Sequence, residues 1–117
     1  MAWRRTVAPA SWFPQRGEVC VVALDKHRPA LVVSTNALNR FSFDVCVVPI
    51  TTSEHKQFSV RPMIRAGDAG LQHTSWAKCD QVTTVEKVSV LYPPLGRLSR
   101  SAMQTIEQSL RIALELN

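Results

Sequence analysis

Two β-branched apolar runs, Glu18-Val19-Cys20-Val21-Val22-Ala23-Leu24 and Ala30-Leu31-Val32-Val33-Ser34, are separated by only Asp25-Lys26-His27-Arg28 ahead of Pro29. Each run has the composition of a strand and is bounded by turn-forming residues. A parallel pair needs a crossover of a dozen residues or more, so this spacing confines the two strands to an antiparallel hairpin or a tight corner. Proline can open a strand but lacks the N–H that a central ladder needs, which places the start of the second strand just after Pro29.

The remaining chain can be laid against that hairpin. Asn36, Asn39 and Ser42 predict a polar loop before Asp44-Val45-Cys46-Val47-Val48-Pro49-Ile50, whose continuous apolar character predicts a third strand buried on both faces. Phe58-Ser59-Val60-Arg61 alternates and predicts a half-exposed fourth strand ended or bulged by Pro62. Trp76 to Cys79 with Gln81 to Val85 predict a further short strand, and Val88 to Leu91 another. After Pro93-Pro94 the period changes: Ser99 is placed to cap a helix whose apolar residues Ala102, Met103, Ile106, Leu110, Ala113 and Leu114 recur at three- and four-residue steps. The fold class expected is mainly β or α+β, a small antiparallel barrel-like sheet closed by a C-terminal helix. Residues 1–15, with two prolines and no periodicity, are expected to be an irregular arm on a single domain spanning 16–117, and 117 residues leave no room for a second.

Composition narrows the function classes. The formal charge of +5 favours polyanionic partners without naming one. No apolar run approaches the roughly 20 residues that cross a bilayer, and the basic start lacks the apolar stretch of a signal peptide, so the chain is expected in the cytoplasm, with no membrane role. Cys20, Cys46 and Cys79 form no CxxC pair and are expected as small buried hydrophobes in a reducing compartment. No phosphate loop, dinucleotide fingerprint or His-Glu-x-x-His helix occurs, and neither a metal nor a cofactor is implied.

The chemistry-bearing residues that remain are polar groups flanking buried strands: Arg28 before the second, Thr51-Thr52-Ser53 after the third, and Lys78-Cys79-Asp80-Gln81 near the fifth. Strand ends hold side chains rigidly. The planar fork of Arg suits a phosphate, and a Thr hydroxyl can donate to a non-bridging oxygen. Taken alone, each has a plainer reading: Arg28 and His27 as solvated turn residues, the threonines satisfying backbone groups at a strand end, and Asp80 pairing with Lys78 or capping a turn.

The order Arg16-Gly17-Glu18-Val19, Arg28-Pro29-Ala30-Leu31-Val32-Val33-Ser34, Val48-Pro49-Ile50-Thr51-Thr52, Cys79-Asp80-Gln81-Val82-Thr83-Thr84, closed by Leu95-Gly96-Arg97-Leu98-Ser99 and its helix, resembles the MazF/Kid/PemK toxins from residue 16 to about 116. The resemblance implies an SH3-like barrel of the CcdB/PemK type, a homodimer, and a toxin endoribonuclease that cuts single-stranded RNA at short sequences without a metal. In that reaction the ribose 2′-hydroxyl attacks its own phosphate, leaving a 2′,3′-cyclic phosphate and a 5′-hydroxyl. A cognate antitoxin, with an acidic tail in the basic groove, is the implied partner. Carried over by position, Arg28 binds the phosphate and acts in proton transfer, Thr51 stabilises its developing charge, and Lys78 and Asp80 fall where relatives carry an acid and a base. His27, Thr52, Ser53, Phe58 and Gln81 are expected to line the RNA groove, Phe58 by stacking a base.

Two departures from the family pattern matter. The usual longer loop between the first two strands, with its glutamate, is replaced by Asp25-Lys26-His27, which leaves His27 or Asp25 to substitute for it in part. Lys78 keeps the charge of the family's Arg but not its bidentate geometry. Two rival readings stand beside the ribonuclease: a CcdB-type poison that inhibits DNA gyrase by contact, and a non-catalytic module that only holds RNA.

Overall fold

The computed structural model describes residues 6–23, 25–54 and 59–117. Among them, seven strands form one curled antiparallel sheet in the order β4-β5-β3-β2-β1-β7, with β6 also paired to β3. The expected hairpin is present as β1 (Glu18–Ala23) and β2 (His27–Val32), in a register that sets Val22 opposite Arg28 and Ala23 opposite His27. β2 therefore begins two residues before Pro29, not after it. Proline is tolerated there because residues 27–29 pair only with β1, and pairing with β3 (Asp44–Thr51) starts at Ala30.

Both faces of the sheet are buried, which accounts for the unbroken apolar runs. Val19, Leu31, Val48 and Ile50 point into one core, together with Ile64, Leu71, Ala77, Leu98 and Ile106. Their neighbours in the strands, Cys20, Val22, Ala30, Val32, Val45 and Val47, point into a second core closed by Val85, Val90 and the half-buried Trp12 of the arm. Trp12 meets Tyr92 edge to face at 5.2 Å. Burial pushes the Cys20 thiol up to about 12, with Glu18 adding to the shift, so it behaves as an apolar group.

The first core is roofed by α2 (Arg100–Leu114), where the sequence places it: Ser99 caps its start, with the hydroxyl accepting from the Ala102 N–H at 3.3 Å, and Ile106 is fully buried. Asp68 in turn accepts from the Ser99 N–H at 3.1 Å and hydroxyl at 2.9 Å, tying the 67–71 turn to the helix start.

Four further expectations differ from the structure. The polar loop after β2 contains a short helix, α1 (Asn36–Phe41), capped by Thr35, and its one buried residue is Asn39. The Asn39 side chain pairs with the Ser34 hydroxyl and donates to the Ser34 carbonyl at 3.0 Å, so a polar residue occupies the position an apolar one would mark. The expected fourth strand fails as drawn: Phe58 lies outside the described residues, Ser59 to Arg61 form a turn and bend, and β4 is Met63–Ile64, beyond Pro62. Arg61 is buried, and that leaves the segment without the alternation of a half-exposed strand. Val88 to Leu91 is no strand either; a 3₁₀ turn over Lys87–Ser89 is followed by one bridge, Val22 to Val90. The one short strand expected over Trp76 to Cys79 with Gln81 to Val85 is two, β5 (Ser75–Ala77) and β6 (Thr83–Glu86), parted by a 3₁₀ turn over Cys79–Gln81 and paired with different ends of β3; β7 is Gly96–Arg97. No helix among the described residues is long and apolar enough to cross a membrane.

Candidate functional site

The site begins as a fork in the sheet. β2 and β3 pair through Ala30–Pro49, Leu31–Val48 and Val32–Val47. Beyond that point residues 27–29 stay with β1, while Ile50 and Thr51 turn to β5, opposite Ala77 and Trp76. Both strands carry a proline at the parting, Pro29 and Pro49, and neither can donate the N–H that would carry the ladder further. Extending the lost register would set Arg28 opposite Thr51, so the two residues face each other across the gap that the fork opens.

That gap is a cleft of about 340 Å³. His27 and Arg28 line it from β2, Ile50 and Thr51 from β3, Thr52 and Ser53 from the turn that follows, and Leu71, Gln72, His73 and Ser75 from the opposite wall. The Thr51 Oγ1 accepts the Ser53 N–H at 3.1 Å, which fixes the hydroxyl oxygen and leaves its hydrogen to donate elsewhere. Arg28 is exposed and takes part in neither of the two ion pairs found among the described residues. Five of the residues singled out from the sequence, His27, Arg28, Thr51, Thr52 and Ser53, therefore meet in one place.

Lys78, Asp80 and Gln81 are not among the residues lining this cleft. Lys78 opens the 3₁₀ turn, its N–H donating to the Pro49 carbonyl at 2.9 Å. Asp80 is gripped by Arg61 in a two-pronged pair, Nε to Oδ1 and Nη2 to Oδ2, each 2.9 Å. That hydrogen bonding holds the Asp80 carboxyl below the usual carboxylate range, with the charge of Lys78 assisting, and it raises the Arg61 guanidinium in return. A carboxylate so engaged makes a poor proton acceptor. Cys79, between them, is pushed up to about 12 by burial and, to a lesser degree, by Asp80.

Sequence reasoning missed Arg61, Leu71, Gln72 and His73. The 71–73 segment owes its place to distant contacts: Asp68 on Ser99, and Gly70, whose φ of +74° and close approach to the Leu95 carbonyl admit no side chain. Neither leaves a periodic signal.

The chain matches the family described as PemK-like, MazF-like toxin of type II toxin-antitoxin system over residues 15–114. It is 28% identical to Endoribonuclease MazF9 of Mycobacterium tuberculosis (strain ATCC 25618 / H37Rv) over 87% of this chain and 97% of that protein. Among solved structures it is similar to an endoribonuclease in complex with its cognate antitoxin from a mycobacterial species, with 31% identity, TM-score 0.79, and 89% and 97% of the two chains covered. It is also similar to the Mycobacterium tuberculosis toxin MazF-mt6, with 25% identity, TM-score 0.77, and 86% and 98% covered. A MazE-MazF structure from Deinococcus radiodurans shares the fold at 18% identity and TM-score 0.77, with 91% and 99% covered.

Proposed function

The chain belongs to the PemK-like, MazF-like toxin family, and from that premise we propose that it cuts single-stranded RNA at the fork between β2 and β3. It is an endoribonuclease toxin held in check by a cognate antitoxin, the activity and the partner that its relatives' descriptions carry. The observation that supports the location is the convergence of Arg28 and Thr51 from two parting strands on one open cleft. Arg28 grips two non-bridging oxygens of the scissile phosphate, and the Thr51 hydroxyl donates to the charge that grows on one of them.

Proton transfer falls to the two imidazoles lining the cleft, His27 and His73. One, neutral, takes the proton from the 2′-hydroxyl as the 2′-oxygen bonds to phosphorus. The other, protonated, gives a proton to the 5′-oxygen as its bond to phosphorus breaks, leaving the cyclic phosphate and a 5′-hydroxyl. Thr52, Ser53, Lys78 and Gln81 hold the flanking RNA, while Asp80 serves the fold by fixing Arg61. The working form is a homodimer in the cytoplasm, where RNA and antitoxin are met.

The test is cleavage of a long single-stranded RNA by wild type, Arg28→Ala and Thr51→Ala in excess chelator, with new 5′ ends mapped by primer extension. Cuts at a common short sequence, lost in both folded variants, support the reading. Intact RNA with folded wild type overturns it in favour of a gyrase poison or a binding module.

A further inference from the structure

A nucleotide has two chemically different ends, a charged phosphodiester and a flat, largely apolar base. The surface at the fork has two lobes of the same contrast. Behind the phosphate cleft lies a second pocket of about 360 Å³ that shares His27, Pro29, Leu71 and Gln72 with it. Its remaining lining is Val21, Gly70 and Leu95, so its walls are apolar except at His27 and Gln72.

This lobe is built on fixed elements. Val21 lies in β1, opposite Pro29. Leu71 is buried in the first core, and the Leu95 N–H donates to the Val19 carbonyl at 2.8 Å. The turn that presents Leu71 and Gln72 packs backbone to backbone on the 95–96 segment: a Cβ on Gly70 would lie 2.1 Å from the Leu95 carbonyl oxygen, and one on Gly96 would lie 2.5 Å from the Ala69 carbonyl carbon. Ala69 itself is held at φ 54°, a left-handed conformation that costs an alanine energy and persists where the surroundings over-determine it. The Gly67 N–H closes the turn on the Leu71 carbonyl at 2.6 Å, and Asp68 anchors it to the start of α2. A pocket held from three sides suits recognition of a rigid group.

We infer that the apolar lobe shared between Pro29, Leu71 and Leu95 receives the base next to the scissile phosphate, and that the Gln72 amide reads its edge. Pro29 and the two leucines supply faces for a planar ring. The amide of Gln72, with a carbonyl acceptor and two N–H donors, can match the paired donor and acceptor of a base edge. Because the two lobes share one wall, seating the base draws its phosphate towards Arg28 and Thr51, and sequence choice is coupled to the cut.

The inference rests on the RNA-cleaving reading, and the experiment separates the two. Wild type, Gln72→Ala, Gln72→Glu and Leu95→Phe are each given a pool of RNA randomised over the cleavage region, and the 5′ ends are sequenced. The expected result is a relaxed preference at one position beside the cut in Gln72→Ala, by roughly tenfold, the weight of one hydrogen bond. In Gln72→Glu, which offers acceptors only, the preference should move towards bases that present donors at that same position. Leu95→Phe, which narrows the lobe, should raise KM for the wild-type sequence more than it lowers kcat. An unchanged consensus in all three active variants overturns the base pocket alone, and weakened inhibition by the antitoxin alongside it gives the pocket to that protein. No cutting by folded wild type overturns both readings.

Discussion

The roles proposed for Arg28 and Thr51 rest on what their side chains can do at one point in space. A guanidinium meets two phosphate oxygens at once, whereas an ammonium at the same position is a single point charge on a flexible stem. Arg28→Lys is therefore expected to lose about a hundredfold in kcat while retaining RNA affinity better than Arg28→Ala; single-turnover kinetics alongside equilibrium binding separate the two effects. Thr51→Ser should keep most of the activity that Thr51→Val loses. The Arg61–Asp80 pair is a different matter. Because Arg61 holds the Asp80 carboxyl below its ordinary value, the stabilisation is complete above the unfolded value of about 3.9 and fades as pH falls through the lower folded value. Asp80→Asn should lower the thermal midpoint by several degrees at pH 7, and the gap from wild type should close as the solution is acidified below about pH 4. A gap that stays constant into acid would contradict the charge pairing. Arg28 and Thr51 stand out in the sequence because they flank apolar runs; for Asp80 the sequence suggests Lys78 as partner or a role as acid or base, because the residue that engages it, Arg61, is buried beside a turn and outside any periodic pattern.

At the scale of elements, local rules worked where burial alternates or runs unbroken, and failed where one side chain or a distant partner decides. β1, β3 and α2 could be read almost to the residue, because each has two buried faces or a three-to-four-residue stripe. α1 escaped because its inward residue is Asn39, satisfied by Ser34. β2 starts earlier than its proline suggests, because the rule against proline in a sheet assumes partners on both sides, and at Pro29 the β3 side is already open. That exception is what creates the cleft. The opposite wall depends on a single turn whose geometry requires Gly70. Gly70→Ala should cost about 2–3 kcal/mol, from a side chain at positive φ pressed on the Leu95 carbonyl. Denaturant titration gives that value, and a larger fall in cleavage than in folded fraction would report the displaced Leu71–His73 segment.

The molecule as a whole divides its stability unequally with respect to the cleft. Ile50 and Leu71 belong to the core beneath α2 and also line the cleft, while the residues of the other core, from Cys20 to Val90, do not touch it. Tight packing transmits a cavity to its lining, so position within one core or the other matters as well as the size of the loss. Ile106→Ala, which empties a fully buried site where α2 meets the first core, should cost about 2–5 kcal/mol and should also lower kcat per folded molecule, as Leu71 and Ile50 relax towards the void. Val85→Ala in the second core should lower the thermal midpoint and leave kcat per folded molecule near that of wild type. Measuring both variants well below their midpoints, with active sites counted by tight binding of an uncleavable 2′-deoxy oligonucleotide, separates lost folding from lost geometry. Equal kcat in the two would mean that the cleft is held by its strands and the Gly70 turn alone, and that the helix contributes stability without shaping the site.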